Sequence, residues 1–546
     1  MNPAIPDTLT TLLERHARER GEQLFCQLFL EEGAPRLTYA ELLRQSRRYA
    51  HFYRGHGAED GEVIPLFLPH GVDLFPAFLG AMLAGCIPSF MPPLSAKQEP
   101  QLYWQAHREL LKRIRARLIL VSPEMANPGD NLDFRHGTVL TPDPGDDESP
   151  INRATDPEAI ALLQHSSGTT GLKKGVALSH RAILRQIDCY AAALDLQPTD
   201  RIATWLPLYH DMGLLACFLT PLVRGLSIVA LDPFEWVLRP ERLFEAVERY
   251  RCSHVWLPNF AYHHLCRTVE QPPRDLSSLK ALINCSEPCK AETFRLFSET
   301  FPTIAAEKLQ ICYAMAETVF AATQTTPGQV VTPLAADRRA LLEGNRYRPA
   351  AADSTIQWIM PVGRPIEGIA VRVVNEGVDA AEGEVGEVIL AGDFLFSSYF
   401  GLPELTRERL QNGWYHSNDL GFLWQGELYI TGRKDDLIIC HGKNIYAHDV
   451  EEAVNRVPGV KPGRAVAFAH FDAAQGSQEI VVVAETEMGD ADLLKGMRRA
   501  VATLLQSLFQ VRVSRIRLVE PGWLVKTTSG KVSRKENLKK WLRELD

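Results

Sequence analysis

The sequence has few of the features that mark zinc-binding, secreted or membrane-spanning proteins. Its ten cysteines form no CxxC pair, the closest two being Cys285 and Cys289, and structural zinc sites usually need tighter pairs. We interpret the cysteines as reduced thiols of a cytoplasmic protein. The first twenty residues lack the basic-then-apolar pattern of a secretory signal. Prolines and glycines break the longest uncharged stretch, Leu74 to Ala96, so we expect a buried helix, a buried strand and a loop there, and no stable membrane insertion.

A basic excess is missing too. Lysine and arginine number 59 against 67 aspartates and glutamates, which gives a formal charge of −8. A general nucleic-acid binder would normally carry a basic excess or stripe, so we expect no nucleic-acid partner. The chain also contains no GxSxG elbow and no HExxH motif, which argues against those two hydrolase classes.

What is present is an ordinary globular composition, with 45% hydrophobic and 23% charged residues over 546 positions. Residues from Tyr39 to Gly55 have the pattern of an amphipathic helix. Helical and strand patterns alternate over the first part of the chain, which favours an α/β fold with mostly parallel sheets and flanking helices. Short strands with close turns from Ala370 to Ile430 predict a small β unit. We expect a large N-terminal domain over residues 1–431 and a small α+β C-terminal domain over residues 432–546.

One glycine-rich loop has the composition of a phosphate grip. An apolar strand leads into small and hydroxyl residues that allow close backbone approach to a polyanion, and two lysines, Lys173 and Lys174, follow. The loop residues are Ser166, Ser167, Gly168, Thr169, Thr170 and Gly171. The loop fits neither the Walker A pattern nor GxGxxG, and taken alone such a turn is usually only a loop.

Six further motifs follow in the order TWLPLYHDMGLL, NCSEP, YAMAET, NGWYHSNDLG, ELYITGRKDDLIICHGKNIYAHDVEEAV and KTTSGKVSRKENL. Each has a plain structural explanation by itself, such as a packed histidine, a solvated turn or a basic surface loop. Together with the loop, the set resembles the adenylate-forming superfamily of acyl-CoA synthetases, adenylation domains and luciferases. The resemblance covers essentially the whole chain.

This resemblance implies roles for particular residues. Lys531, Lys174, His210 and Glu317 would be catalytic, with His210 gating the substrate carboxylate and Glu317 binding Mg²⁺. ATP would be held by the glycine-rich loop and by Ser286, Glu287, Tyr313, Ala314, Met315, Ala316, Thr318, Asp419 and Arg433. Asp435 would be the hinge about which a mobile C-terminal domain turns. Departures from the family pattern include Lys173 for proline, Ala314 for glycine, and Ser417 and Asn418 for Thr-Gly.

A longer connection points to one branch of the superfamily. About 45 residues separate Glu317 from Val362, and they contain a DRxxLxxG pattern from Asp337 to Gly344. This resembles the fatty acyl-AMP ligases, which pass the acyl group to an acyl carrier protein. The resemblance therefore implies a ligase that activates a carboxylic acid with ATP and Mg²⁺.

Two alternatives stay open at this point. One is an acyl- or aryl-CoA ligase with the same first half-reaction, and the other is a catalytically inactive homologue that binds nucleotide. Carrier proteins are often acidic, so docking would need a local basic patch, and Lys526, Lys531, Arg534 and Lys535 offer one.

Overall fold

The structure is a computed structural model that describes residues 8–29, 34–94, 100–125, 137–151, 153–166, 174–270, 275–440, 443–472, 477–511, 513, 515–526 and 532–544. Most of the glycine-rich loop and Lys531 lie outside these residues. Among the helices in the described ranges, none is both long and apolar enough to cross a bilayer.

In chain order, the elements up to residue 193 are α1 (Leu9–Arg20), β1 (Leu24–Leu28), β2 (Arg36–Thr38), α2 (Tyr39–Gly55), β3 (Val63–Phe67), α3 (Leu74–Leu83), β4 (Ile87–Phe90), α4 (Pro100–Arg113), β5 (Leu118–Val121), β6 (Thr138–Leu140), β7 (Ile160–Ser166), β8 (Lys174–Ser179) and α5 (His180–Ala193). From there to residue 324 they are β9 (Arg201–Thr204), a π-helix (Met212–Leu219), α6 (Thr220–Arg224), β10 (Ser227–Ala230), α7 (Pro233–Leu238), α8 (Arg242–Tyr250), β11 (His254–Leu257), α9 (Asn259–Thr268), β12 (Ala281–Asn284), α10 (Ala291–Thr300), β13 (Leu309–Ala314) and β14 (Ala321–Gln324).

The elements after residue 324 begin with several short strands. They are β15 (Leu334–Asp337), α11 (Arg338–Gly344), β16 (Ile356–Ile359), β17 (Arg364–Pro365), β18 (Ile369–Asn375), β19 (Val378–Asp379), β20 (Gly386–Gly392), β21 (Ser398–Tyr399), α12 (Pro403–Arg409), β22 (Leu410–Gln411), β23 (Trp414–Trp424), β24 (Glu427–Arg433), β25 (Leu437–Cys440), β26 (Lys443–Tyr446), α13 (Ala447–Asn455), β27 (Ala465–Asp472), β28 (Ser477–Glu485), α14 (Ala491–Phe509), β29 (Arg515–Val519) and α15 (Arg534–Arg543).

A nine-stranded sheet organises the large amino-terminal part, in the order β17-β14-β13-β12-β11-β9-β10-β1-β2. Its interior pairs, from β13 to β1, are parallel, and the edges β2, β14 and β17 pair antiparallel. A second sheet, β4-β3-β5-β6, is wholly parallel. Between them α3 is buried along its entire length, as expected for a helix with apolar residues all round. This arrangement confirms the predicted α/β fold class.

Two smaller sheets bring distant parts of the chain to the ends of the parallel strands. β7 and β8 form an antiparallel pair to which β21 adds. Strands β18 to β24, apart from β21, form the predicted small β unit, with β23 paired to both β20 and β24. As a result, β8, β13, β21 and β23 all present residues to one region, the candidate active site.

The carboxyl-terminal part has its own apolar core. β27, β28 and β29 form a three-stranded sheet, with α13 and α14 on one face and α15 on the other. Apart from Leu342 of α11, the buried residues of these two clusters all come from residue 438 onward. β24 continues through Gly432 to Arg433, so no strand ends at the predicted domain boundary. The boundary near Gly432 stays a prediction.

Candidate active site

Glu317 is a buried carboxylate at the end of a parallel strand. It lies in a 3₁₀ turn (Ala316–Thr318) that follows β13, and only 8% of the residue is exposed. The Tyr399 hydroxyl donates a 2.6 Å hydrogen bond to Glu317 Oε1. The Phe396 amide donates to the Glu317 carbonyl at 2.8 Å. Both the side chain and the backbone of Glu317 are thus held by the segment that carries β21.

The turn after Glu317 is strained. Val319 has φ 62° and ψ −58°, and the Phe320 amide donates to the Thr318 carbonyl at 2.6 Å, which makes a γ-turn centred on Val319. A positive φ is unfavourable for a β-branched residue and such strain clusters at functional sites. Thr318 is among the residues predicted to bind ATP. Its hydroxyl donates to the Phe320 carbonyl at 2.7 Å, so the hydroxyl is bonded within its own turn.

Lys174 faces the same tyrosine. Its ammonium lies 5.1 Å from the centre of the Tyr399 ring, a cation–π distance. Burial lowers the pKa of Lys174, and the Glu317 carboxylate opposes that shift. Burial, followed by the charge of Glu317, raises the pKa of Tyr399, so its hydroxyl stays a donor. A lysine, a carboxylate and a neutral phenol therefore share one partly dry site.

Ser166 and Lys174 close the glycine-rich loop. The two residues are paired across β7 and β8, so residues 167–173 connect the ends of an antiparallel pair. Ser167, Gly168, Thr169, Thr170 and Gly171 lie outside the described residues, as does the side chain of Ser166. The pairing places the loop's ends beside Lys174, and therefore beside Glu317 and Tyr399.

A second carboxylate lies next to this cluster. Tyr313 at the end of β13 donates its hydroxyl to Asp419 of β23, and Arg433 Nε is 3.3 Å from Asp419 Oδ1. Asp419 and Arg433 are direct partners in the antiparallel pair of β23 and β24. Burial raises the pKa of Asp419 and the Arg433 charge opposes that shift. The structure thus brings together Tyr313, Asp419 and Arg433, three residues that the motifs had singled out separately.

Asn418 explains one departure from the family pattern. Its φ is 64°, in the left-handed region where glycine is favoured and asparagine is tolerated. The side-chain amide donates to Asp435 Oδ2 at 3.1 Å. Asn418 therefore keeps the backbone turn that a glycine would give, and it adds a contact to the predicted hinge. Ala314, the other glycine replacement, has ordinary strand backbone at the end of β13.

The residues predicted to line adenine are near the π-helix. Ser286 is exposed, has φ 69°, and its hydroxyl is 4.0 Å from the sulfur of Met212. Glu287 accepts a 2.9 Å hydrogen bond from the Phe260 amide. Met315 is extended and partly buried, and Ala316 is buried behind it. The Glu287 carboxylate is thus tied to the start of α9.

His210 lies at the turn before the π-helix. Its ring packs on Tyr209 with the centroids 4.8 Å apart, and its carbonyl accepts the Leu214 amide at 2.8 Å. Gln164 of β7 donates to the Tyr209 carbonyl at 3.1 Å. This bond joins the strand that leads into the glycine-rich loop to the turn that carries His210.

Several groups at this site were not found from the sequence. Tyr399 and Tyr415 both contact the Phe396 ring, burial and then the Glu317 charge raise the pKa of each phenol, and the Arg409 charge acts on both Lys174 and Tyr399. No motif marks Tyr399 or Arg409, and Tyr415 lies inside the NGWYHSNDLG motif without a role assigned to it. The one available signal was proximity in the chain, because Arg409 ends α12 just before this motif and Tyr415 is four residues before Asp419.

Contacts join the site to the carboxyl-terminal part. Lys290, just before α10, pairs with Glu452 of α13. The Thr431 and Tyr446 hydroxyls are 2.8 Å apart. Asn418 reaches Asp435, the predicted hinge. Lys531 lies outside the described residues, so its approach to the site stays a prediction.

Comparison with known proteins agrees with this geometry. The sequence profile of the AMP-binding enzyme family matches residues 13–400. The medium-chain-fatty-acid–[acyl-carrier-protein] ligase JamA of Moorena producens is 30% identical over 399 residues, which cover 69% of this chain and 67% of JamA. The long-chain-fatty-acid–AMP ligase FadD32 of Mycolicibacterium smegmatis is 29% identical, and the match covers 96% of this chain and 92% of FadD32.

Solved structures give the same result. A chain from a study of fatty acyl-adenylate ligases from E. coli and L. pneumophila superimposes with a TM-score of 0.91 at 26% identity, covering 100% of this chain and 99% of that one. The geometry of the site agrees with these matches, since it places the buried Glu317–Lys174 site beside the Tyr313–Asp419–Arg433 group. The chain belongs to the AMP-binding enzyme family, in its fatty acyl-AMP ligase branch.

Proposed function

We propose that this chain joins a fatty acid to the AMP part of ATP with release of pyrophosphate, and then passes the acyl group to the phosphopantetheine thiol of an acyl carrier protein with release of AMP. The observation that carries the proposal is the convergence of Lys174, Tyr399 and Glu317 beside the Tyr313–Asp419–Arg433 group. The group of Lys174, Tyr399 and Glu317 suits a polyphosphate. The group of Tyr313, Asp419 and Arg433 suits a nucleoside. The names of the two curated relatives support the acid and the carrier as substrate and acceptor.

The chemistry requires positioning and charge more than a protein nucleophile. A carboxylate is a poor electrophile, and its anhydride with AMP has a good leaving group. The protein must align the carboxylate with the α-phosphate and neutralise the charge that spreads during displacement. Lys174 and Lys531 would supply positive charge to the reacting carboxylate and phosphate. His210 would border the entering carboxylate.

Glu317 fits the role of a Mg²⁺ ligand. The described residues contain no cluster of three or more potential ligands, so a cage built from protein side chains alone is not available there. Mg²⁺ commonly takes one or two carboxylates plus substrate phosphates. Tyr399 donates to Oε1 of Glu317 and so restrains the carboxylate that would bind the cation. When bound, Mg²⁺ would neutralise part of the phosphate charge.

Asp419, Arg433 and Tyr313 would hold the nucleoside. A carboxylate has two acceptor oxygens, which suits the two hydroxyls of a ribose. Arg433 lies within 3.3 Å of Asp419 and opposes the rise in its pKa, which favours the charged acceptor form. The Tyr313 ring, fixed at its hydroxyl by Asp419, would offer a face to adenine, with Ser286, Glu287, Met315 and Ala316 around it.

The second half-reaction would need a domain movement. Residues 432–546 would turn about Asp435 to present the carrier's thiol to the acyl-AMP, in a hinge-type change. The ten cysteines are all free thiols, which supports a cytoplasmic location. An acyl- or aryl-CoA ligase would share the first half-reaction and differ only in the acceptor.

A product experiment separates these acceptors. The full-length chain would be incubated with ATP, Mg²⁺ and a mixed pool of fatty and aromatic acids, with either CoA or a holo acyl carrier protein, and the products weighed by mass spectrometry. We expect a fatty acyl-AMP in both reactions and an acyl thioester on the carrier alone. A CoA thioester formed at an equal rate would overturn the choice of acceptor. No adenylate from any acid would favour the inactive homologue.

A further inference from the structure

α12 bridges the two tyrosines of the candidate active site. The helix is tied to β21, because the Tyr399 amide donates to the Thr406 hydroxyl at 3.0 Å. Its end leads directly into β22, where Leu410 pairs with Tyr415 of β23. Arg409 is the last residue of this helix and precedes Leu410. The backbone therefore places Arg409 at the edge of the site.

The Arg409 side chain is largely buried and has little to pair with. Only 17% of it is exposed, and its Nε is buried without a hydrogen-bond partner among the described residues. Its one ion pair in those residues joins Nε to Glu408 Oε1 at 3.4 Å, and the Glu408 side chain is 64% exposed. A pair of chain neighbours with one member in solvent is weak. Because buried cations are normally paired, Arg409 is a cation that lacks a full anionic partner.

The charge of Arg409 acts on the groups of the site. Burial lowers the pKa of Lys174, the Glu317 carboxylate opposes that shift, and Arg409 lowers the pKa further, by more than Arg433 does. Burial raises the pKa of Tyr399, and the Arg409 charge opposes that rise. Lys174, Arg409 and Arg433 therefore form one positive group.

The carboxylates of the site are distributed unevenly over this positive group. Arg433 lies 3.3 Å from Asp419, and Glu317 is the carboxylate that acts most strongly on Lys174. In the described part of the chain, no third buried carboxylate pairs with Arg409. Arg409 is thus the cation of the group with the capacity to bind an anion supplied by a ligand.

We propose that Arg409 binds the pyrophosphate end of ATP and the pyrophosphate that leaves it. A guanidinium matches phosphate oxygens with two parallel hydrogen bonds, which a lysine ammonium cannot form. The proposal rests on the function proposed above, because it assigns the polyphosphate to the Lys174–Glu317 side of the site. It adds a third protein cation to the groups that would hold the polyphosphate.

The reaction shows where this cation is needed. In adenylation a carboxylate oxygen bonds to the α-phosphorus, the bond from that phosphorus to the oxygen shared with the β-phosphate breaks, and pyrophosphate leaves with the bonding electrons. Negative charge therefore grows on the leaving group. A cation fixed beside it stabilises that charge at no cost of rearrangement during the step.

The dependence of exchange on pyrophosphate tests the proposal. Acid-dependent ATP–pyrophosphate exchange is measured at saturating ATP, Mg²⁺ and fatty acid while pyrophosphate is varied, for the full-length chain, Arg409→Gln and Arg409→Lys. Arg407→Gln is the matched control, because Arg407 lies on the same helix, is 72% exposed and pairs with Glu404 at the surface. A second assay follows acyl transfer from added acyl-AMP to pantetheine, in which pyrophosphate takes no part.

We expect Arg409→Gln to raise the KM for pyrophosphate about tenfold and to lower the maximal exchange rate about 100-fold, as for the loss of one charge-stabilising donor. Arg409→Lys should recover part of both, because it keeps the charge and loses the forked geometry. Transfer from added acyl-AMP should stay within about twofold in all variants, and Arg407→Gln should change neither assay.

The contrary results are distinct. An unchanged KM for pyrophosphate in Arg409→Gln, with normal exchange by the unmodified chain, would overturn this inference alone. Equal losses of exchange and transfer in Arg409→Lys, with a lower melting temperature, would show that Arg409 supports the fold of the site, and would also overturn it. Absence of acid-dependent exchange in the unmodified chain would overturn the proposed function, and the role of Arg409 with it.

Discussion

The Tyr399 hydroxyl donates a 2.6 Å hydrogen bond to Glu317 Oε1 across 82 residues of sequence. β21 pairs with β8, which places Tyr399 opposite Val176 and two residues from Lys174 on the neighbouring strand. The tyrosine therefore contacts the buried carboxylate through its hydroxyl and the lysine through its ring. A single side chain sets the geometry of the two charges that face the proposed polyphosphate.

Replacing Tyr399 with phenylalanine should weaken Mg²⁺ use. The hydroxyl orients Glu317, and a hydrogen bond to a charged group is worth about 1.5–3 kcal/mol, so we expect the apparent Mg²⁺ affinity to fall by roughly tenfold or more. The measurement is the Mg²⁺ dependence of acid-dependent pyrophosphate exchange. Tyr250→Phe, which removes a hydroxyl bonded to Gln27 at a distance from the site, is the control. An unchanged Mg²⁺ dependence in Tyr399→Phe would contradict the proposed orientation of Glu317.

Position 418 should accept glycine more readily than alanine. Asn418 has φ 64°, and a left-handed conformation costs about 1–2 kcal/mol for an ordinary L-residue. We expect Asn418→Gly to melt near the temperature of the unmodified chain and Asn418→Ala to melt several degrees lower. Both lose the hydrogen bond to Asp435, so any effect on the hinge should be common to the two variants. Equal melting temperatures would show that the backbone conformation is not the reason for asparagine at this position.

His180 should make the protein less stable in mild acid. It is buried at the start of α5, its Nδ1 accepts the Leu9 amide at 3.2 Å, and burial lowers its pKa from about 6.5 to about 4. Between these values the unfolded chain binds the proton and the folded chain does not. Stability therefore falls by about 1.4 kcal/mol per pH unit as pH drops from 6.5 toward 4, and is unaffected above 6.5.

His180→Asn keeps an acceptor for Leu9 without a titrating group, so its melting temperature should depend less steeply on pH in this window. His56→Asn, at an exposed histidine, is the control. If the two variants and the unmodified chain show the same pH dependence, the buried histidine does not contribute.

α11 ties the long connection to the carboxyl-terminal part. Leu342 is buried in the apolar cluster of that part, Glu343 lies 3.3 Å from Lys443, and the Arg338 guanidinium stands 5.3 Å from the Phe509 ring centre. These contacts join the two sides of Asp435, so a rotation about Asp435 must break them. They therefore favour the arrangement seen in this structure.

Leu342→Ser should weaken that tie, because it places a hydroxyl in an apolar cluster. We expect the ratio between acyl transfer from added acyl-AMP to pantetheine and pyrophosphate exchange to change several-fold, because only one of the two arrangements about Asp435 keeps these contacts. Ile356→Ser, at an exposed residue of the same connection, is the control. A ratio equal to that of the control would show that α11 does not restrain the rotation.

Local sequence patterns predicted much of the fold. The helix expected from Tyr39 to Gly55 has those bounds, because Thr38 and Glu41 form a capping box and its apolar residues recur on one face. Strand–helix alternation indicated the parallel sheets, and composition alone identified α3 as a buried helix. Family motifs placed Glu317, Asp419, Arg433 and Tyr313 in one site, and the structure brings them together.

Two of the unpredicted features depend on long-range pairing. Tyr399 reaches Glu317 only because β21 adds to β8, and no local pattern in SSYFG indicates that pairing. Arg534, which the sequence offers as part of a basic patch for a carrier, donates hydrogen bonds to Asp436 and Glu451, which are distant from it in sequence. The γ-turn at Val319 is equally hard to foresee, since valine is a poor residue for a positive φ and only the surrounding structure imposes it.

The most direct test of the proposed function is acid-dependent ATP–pyrophosphate exchange by the full-length chain with a panel of fatty acids. We expect exchange that requires both Mg²⁺ and a fatty acid, and that is abolished by Lys531→Ala and strongly reduced by Glu317→Gln. Absence of exchange with every acid, or exchange that persists at full rate in Lys531→Ala, would contradict it.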